Sequence, residues 1–250
     1  MKILGVIPAR YASTRFPGKP LVEINGKSMI RRVYEQAKKA TTLSKIIVAT
    51  DDLRIFNHVK EFGGEVMMTS TEHQNGTSRC HEVLTKVGKT NHGLQFDVII
   101  NIQGDEPYIK PSQIDKISGL FQNNETEIAT LVKKIDLSNE LFDQNVVKVV
   151  FDNHMKAMYF SRQVIPFLRE MDEIHWFEHH DFYKHIGIYG YRADVLKELV
   201  KLKAGKHEMA EKLEQLCWLE NSYRISVDRT DFESIAVDTP EDLSKFNNKH

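Results

Sequence analysis

Apolar runs of strand length recur through the first hundred residues, at Ile3–Ile7, Ile46–Ala49, Val66–Met68 and Val98–Ile102. Between them the apolar positions take helical spacing, over Met29–Ala40 and over Leu53–Phe62, the second stopped by Gly63-Gly64. Strand alternating with helix at this rhythm predicts a mostly parallel sheet with helices on both faces. Ligands of such sheets sit beyond the carboxyl ends of the strands. The segment Ile7–Leu21 and the turn Gln103-Gly104-Asp105-Glu106-Pro107 both lie there, so they are expected to face one site.

After about Ala129 the pattern becomes β-rich, with Val146–Phe151, Ala157–Phe160 and Ile186–Tyr191, followed by helical spacing over Ala193–Val200 and Glu208–Glu220. No repeat, low-complexity run or linker interrupts it. One α/β domain is expected, with a main body from residues 1–130 and 228–250 and a smaller lobe from 131–227. The Asp238-Thr239-Pro240-Glu241-Asp242-Leu243 segment predicts a last helix, with Thr239 as N-cap and Pro240 at the first position.

Composition narrows the function. A chain of 250 residues holds one sizeable core, and 34 Lys and Arg against 35 Asp and Glu leave a formal charge of -1. No global field exists to hold a nucleic-acid backbone or an anionic membrane, so neither partner is expected, and any anion site must be local. Two cysteines, Cys80 and Cys217, make no disulfide framework, and the apolar stretch Ile3–Ile7 is too short for a signal peptide or membrane span. A cytoplasmic location is the expectation.

The opening segment supplies local charge. IPARYASTRFPGKPL gathers Arg10, Arg15 and Lys19 among Ser13, Thr14, Gly18 and three prolines, directly after a strand. Backbone N–H groups in a tight loop, with hydroxyls and cations beside them, suit a polyphosphate; the competing reading is a solvated basic turn. Gly26-Lys27-Ser28 lacks the earlier glycine of a P-loop, and no G-x-G-x-x-G occurs, so kinase and dehydrogenase readings lose ground. Asp105, aimed at the same rim, suits Mg²⁺ together with a distant carboxylate such as Asp238, although capping and turn roles also suit a lone Asp.

Eight segments, Ile7–Leu21, His73–Arg79, Asn101–Pro107, Val146–Asp152, Tyr159–Arg162, Lys184–Arg192, Lys212–Leu216 and Val237–Leu243, together resemble the 3-deoxy-manno-octulosonate (Kdo) cytidylyltransferases, or CMP-Kdo synthetases. They run in family order from one end of the chain to the other. The resemblance implies a nucleotide-diphospho-sugar-transferase-like α/β fold, a β-rich sugar-binding and dimerisation lobe, a homodimer and Mg²⁺ dependence. It also implies transfer of cytidylyl from CTP to the anomeric hydroxyl of Kdo, releasing pyrophosphate and yielding the donor for lipopolysaccharide inner core.

On that resemblance, Arg10, Ser13, Arg15 and Lys19 would meet the CTP phosphates and the departing pyrophosphate. Gln74, Gly76, Ser78 and Arg79 would lie at the nucleotide, and Asp105 and Asp238 would hold metal. Gln103, Arg162, His185, Tyr189, Glu214 and Gln215 would line the sugar pocket. The residues that select cytosine are not assigned.

His175, His179 and His180 have a ligand-like spacing, but no further ligand follows at a recognisable interval. His207-Glu208-Met209-Ala210-Glu211 has Glu where a zinc-protease motif requires its second His. Cys80 and Cys217 read as packing residues, and Trp176 and Trp218 as core or dimer-interface residues rather than base-stacking platforms. The chain departs from the family pattern at Gly205-Lys206-His207, at Cys217 and at Asn221-Ser222, which bears on the sugar more than on CTP. An 8-amino analogue of Kdo or another acidic sugar is therefore an alternative substrate, and a catalytically inactive nucleotide-binding regulator is the alternative of a different class.

Overall fold

A computed structural model describes residues 1–12, 16–90, 95–233, 235–237, 239–243 and 246. Its strands are β1 (Ile3–Ala9), β2 (Glu23–Ile24), β3 (Lys27–Ser28), β4 (Lys45–Thr50), β5 (Val66–Met68), β6 (Val98–Asn101), β7 (Ile128–Lys134), β8 (Lys148–Phe151), β9 (Ala157–Ser161), β10 (Tyr183–Arg192) and β11 (Ile225–Arg229). Its helices are α1 (Met29–Ala37), α2 (Leu53–Glu61), α3 (Gly76–Thr90), α4 (Pro111–Leu120), α5 (Ser138–Phe142), α6 (Trp176–His179), α7 (Ala193–Leu199), α8 (Lys206–Glu211) and α9 (Glu214–Glu220).

Local chemistry explains where the first helices start. Ser28 accepts the Arg31 N–H at the head of α1, and Asp52 accepts the Arg54 N–H at the head of α2. Gly63, at φ 76°, ends the turn after α2 in a conformation that a side chain would oppose. Along α1 the buried positions Met29, Ile30, Val33, Tyr34 and Ala37 form one stripe against the sheet.

Among the described residues one sheet runs in the order β11-β7-β10-β6-β1-β4-β5. Strands β6, β1, β4 and β5 are mutually parallel, β10 is antiparallel to both β6 and β7, and β11 is parallel to β7. Apolar clusters lie on both faces, one involving Val83, Val87, Leu196 and Trp218, the other Ile30, Val33, Ile55 and Ile114. Strand β1 is therefore covered twice, which is why it reads as an unbroken apolar run.

The sheet does not stop where the sequence pattern changes. The expected division at residue 131 falls inside β7, and β10 sits between β7 and β6 in the central sheet. Strands β8 and β9 branch from this path as a hairpin, β8 meeting β10 at Lys148 and Lys184. The helical spacing over Glu208–Glu220 resolves into α8 and α9, parted at Lys212, which is left-handed at φ 55°. The final segment forms a 3-10 turn, Pro240–Leu243, with Pro240 at its first position as the sequence predicts.

Candidate functional site

Register puts the carboxyl ends of four strands on one rim: Ala9 pairs with Thr50, Thr50 with Met68, and Val6 with Asn101. Arg10 and Asp51 leave this rim side by side, with Arg10 Nε 3.8 Å from the Asp51 carboxylate. Asp51 also accepts from Arg79 Nη2 at 2.7 Å, and Arg79 Nη1 donates to Thr69, the residue after β5. Arg79, expected at the nucleotide, is 1% exposed and spends its guanidinium on Asp51 and Thr69. The Asp51 carboxylate, which sequence reading did not single out, thus links a buried arginine to a surface one. Its signal was its place at the end of an apolar run, as for Asp105.

The loop after β1 is pinned where its described ends meet. Gly18, at φ 74°, donates its N–H to the Tyr11 carbonyl at 2.9 Å, and a Cβ there would stand 3.2 Å from the Tyr11 ring. Lys19 follows directly and its ammonium reaches Asp105 Oδ2 at 2.8 Å, joining the loops after β1 and β6. Ser13 and Arg15 lie outside the described residues. Gly104 lets these loops touch, since a Cβ there would come within 2.4 Å of the Pro8 carbonyl oxygen. The Asp105 carbonyl accepts the Val237 N–H at 2.9 Å, bringing the C-terminal segment to the same place. Asp238 itself lies outside the described residues.

At the start of α3, Asn75 acts as the cap. Its Oδ1 accepts the Ser78 N–H at 2.9 Å, and its Nδ2 donates to Glu214 Oε1 at 2.7 Å. Thr77 donates to the other Glu214 oxygen at 3.0 Å. Glu214, from the head of α9, therefore ties the expected sugar-binding helix to the expected nucleotide-binding turn. Burial pushes its carboxyl up to about 7; the Thr77 bond opposes this shift and the negative charge of Glu208 adds to it. Gln74 is exposed, Gly76 opens α3 against Asn101, and Gln215 is buried. A cavity of about 390 Å³ between α3 and α9 is lined by Gln74, Ser78, Glu214, Cys217 and Trp218 among others.

Strand β10 carries His185 and Tyr189. A regular strand would set residues four apart about 13 Å from each other along one face, yet their ring centroids are 5.0 Å apart. The cause is a bulge: Ile186 pairs with Leu131 but Tyr189 pairs with Thr130, leaving Gly187 and Ile188 unpaired with β7. Gln103 donates to the Gly187 carbonyl at 2.6 Å, and the Thr130 hydroxyl lies 3.1 and 2.8 Å from the Ile186 and Ile188 carbonyls. Carbonyls only accept, so Thr130 gives its proton to one of them. His185 Nε2, 2.9 Å from the same hydroxyl, must then be the protonated ring nitrogen. Burial pushes the His185 imidazole down to about 3, so it is neutral near pH 7 and Nδ1 is left as an acceptor.

Arg162 leaves β9 with Nε on the Glu211 carbonyl at 2.7 Å and Nη1 on the Gln144 carbonyl at 3.0 Å. Its own carbonyl, with those of Asp143 and Val146, receives the ammonium of Lys148, a residue with 0% exposure. Cys80 and Trp218 are buried in the main cluster, and Trp176 is buried in a satellite cluster with Phe182.

The cytidylyltransferase family model matches residues 4–225. A 3-deoxy-manno-octulosonate cytidylyltransferase of Parabacteroides distasonis is 54% identical over 249 residues, covering 98% of this chain and 96% of its own. One of Bacteroides thetaiotaomicron is 52% identical over 246 residues, covering 97% and 96%. A solved structure of CMP:2-keto-3-deoxy-manno-octonic acid synthetase complexed with CTP is similar with a TM-score of 0.90 and 39% identity, over 98% of this chain and 96% of that one. A 4-diphosphocytidyl-2C-methyl-D-erythritol synthase of Anaerococcus prevotii shares the fold, with a TM-score of 0.63 and 13% identity over 98% and 94% of the two chains.

Proposed function

The chain belongs to the 3-deoxy-manno-octulosonate cytidylyltransferase family, and on that premise we propose that it converts CTP and Kdo to CMP-Kdo and pyrophosphate, activating the sugar for lipopolysaccharide inner-core synthesis. The observation that carries the reading is the single rim on which Arg10, Lys19, Gln103 and Asp105 stand, beside the β10 bulge bearing His185 and Tyr189. The anomeric oxygen attacks the α-phosphorus, the bond to the bridging oxygen of the β-phosphate breaks, and pyrophosphate leaves. The hydroxyl proton passes to solvent.

Arg10 and Lys19, with Ser13 and Arg15, offset the charge that moves onto pyrophosphate; the Gly18–Tyr11 bond and the Asp105 pair keep Lys19 in place as it moves. Gln74, Gly76 and Ser78 border the nucleoside, while Arg79 acts through Asp51, which it holds beside Arg10. Arg162 has guanidinium donors beyond the two given to carbonyls and offers them to the sugar carboxylate. Neutral His185 accepts from a sugar hydroxyl, and Gln103, Tyr189, Glu214 and Gln215 complete that pocket.

Mg²⁺ fits Asp105, because a hard ion takes one or two carboxylates and fills its other positions with phosphate oxygens and water. Asp105 would hold the ion with Asp238, and the ion when bound neutralises phosphate charge. A homodimer working in the cytoplasm completes the proposal; exposed Phe167 and Ile174 offer apolar surface for a second copy, and light scattering measures the assembly.

The test is pyrophosphate release with Mg²⁺ and CTP, comparing Kdo, its 8-amino analogue and a sialic acid, with ATP, GTP and UTP as controls. Release with CTP and Kdo is expected. Release only with another sugar would move the substrate, and CTP binding without any release would favour a regulator.

A further inference from the structure

Helix α8 (Lys206–Glu211) buries none of its residues, so apolar packing does not fix its place. Carboxylates hold it at both ends. At its head the His207 N–H donates to Glu220 Oε1 at 3.3 Å, and Gly205 leaves the room that this carboxylate takes, since a Cβ there would stand 1.7 Å from Glu220 Oε2. At its tail Glu211 accepts from the Ser161 hydroxyl at 2.7 Å with one carboxylate oxygen and from the Arg162 N–H at 2.9 Å with the other. The tail is thereby fastened to the end of β9, whose Phe160 ring stands edge-on to His185 with centroids 5.3 Å apart.

The same fastening aims a main-chain carbonyl. The last carbonyls of a helix have no partner within it, and that of Glu211 accepts from Arg162 Nε at 2.7 Å. Nη1 donates to the Gln144 carbonyl at 3.0 Å, so two neutral acceptors from separate segments set the plane of the guanidinium. Glu211 spends its carboxylate on β9 instead, and among the described residues no carboxylate is bonded to the guanidinium. The buried Lys148 ammonium lies close enough to be repelled by Arg162 and attracted by Glu211. A guanidinium beside a second cation, oriented and with donors unspent, suits an anionic ligand.

We propose that Glu211 is a positioning residue for sugar recognition: by docking the tail of α8 on β9 it holds the Arg162 guanidinium toward the sugar carboxylate. This rests on the reading above that Arg162 meets that carboxylate. Glu211 itself does not touch the sugar acid, whose like charge it would repel.

The experiment measures the KM for Kdo, the KM for CTP and the thermal midpoint in the wild type, Glu211→Ala, Arg162→Ala and the double variant. Glu211→Ala should raise the KM for Kdo about tenfold with the KM for CTP unchanged. The Arg162 N–H loses its acceptor and, as the tail of α8 leaves β9, so does Nε. Arg162→Ala should raise the same KM, and adding Glu211→Ala to it should change it less than about twofold, since the residue that Glu211 positions is already gone. Glu211→Gln keeps the length and one acceptor, and should raise the KM for Kdo about threefold.

A lowered midpoint in Glu211→Ala with both KM values unmoved would mean a purely structural glutamate and overturn the inference. Equal changes in the two KM values would also overturn it, as would effects that multiply in the double variant, because Glu211 would then act on the sugar without Arg162. A raised KM for Kdo in Arg162→Ala beside unmoved Glu211 variants sinks this inference alone, whereas an unmoved KM in Arg162→Ala sinks the carboxylate reading and this inference with it. If Glu211→Ala fails to fold, Glu211→Gln and its double with Arg162→Ala decide the matter by the same comparison.

Discussion

Asp105 meets a lysine in the structure and a metal in the proposed reaction, and its two oxygens allow both. Asp105→Asn keeps the shape and removes the charge. At matched Mg²⁺, turnover is expected to fall roughly a hundredfold or more, while the thermal midpoint barely moves, because a pair 13% and 29% exposed contributes little. Near-normal turnover would remove Asp105 from the metal site. Glu214 gives a different signature. Its folded carboxyl titrates at about 7 against an ordinary 4.5, so between these values the folded protein keeps a proton that the unfolded chain releases. Stability from this group is therefore full below 4.5 and lost as pH rises through 7. Relative to Glu214→Gln, the wild type should lose on the order of 3 kcal/mol across that window; parallel denaturation curves from pH 4.5 to 8 would rule the shift out. Lys19 and Asp105 were legible in the sequence because a charge after an apolar run marks a strand end. Arg79 was legible as a motif member, but its burial was not, since that depends on Asp51 and Thr69, which directly follow β4 and β5.

At the scale of elements, strands β1, β4, β5 and β6 follow directly from apolar runs, and their helices from caps and spacing. The β10 bulge does not. Ile186–Tyr191 reads as a strand, and nothing local says that Gly187 and Ile188 will be looped out; Thr130 and Gln103, far away in sequence, stabilise that bend. Thr130→Val keeps the volume while leaving the His185 N–H and a bulge carbonyl without their partner. The expected cost is about 1–3 kcal/mol of stability, together with a raised KM for Kdo and unchanged CTP affinity. Denaturant unfolding and the two KM values check this, and an unaffected KM for Kdo would show that the bulge does not set the sugar pocket. The break between α8 and α9 was hidden for a related reason. In α9 Gln215, Leu216, Cys217 and Trp218 are buried, whereas α8 buries no residue, so packing divides a segment that spacing alone joins.

For the whole molecule, the change of pattern near Ala129 marks no break in the sheet: β7 keeps the direction of β6, and β10, inserted between them, is the strand that reverses it. The strands proposed to serve the nucleotide, β1, β4, β5 and β6, meet the side proposed to serve the sugar at the β6–β10 ladder, and the hairpin of β8 and β9 hangs from β10. Lys184 on β10 is buried in an ion pair with Glu140 at 2.8 Å and in another with Glu233. Lys148 on β8 instead places a buried ammonium on three carbonyls, those of Asp143, Val146 and Arg162. Burial pushes its pKa down, but three acceptors match the three protons of the charged form and hold the hairpin exit in one shape. Lys148→Met fills similar volume and leaves those carbonyls without their donor. Stability should fall by roughly 3 kcal/mol or more, and the KM for Kdo should rise because Arg162 loses its anchor. CTP affinity should hold, since Lys19, Asp105, Arg79 and Asp51 are paired among themselves on the other side of the β6–β10 ladder. Urea midpoints, calorimetric CTP binding and sugar kinetics on one preparation separate these effects. Equal loss of CTP and Kdo affinity would mean that the sheet couples the two sides as one rigid unit, and that the sugar pocket has no independent support.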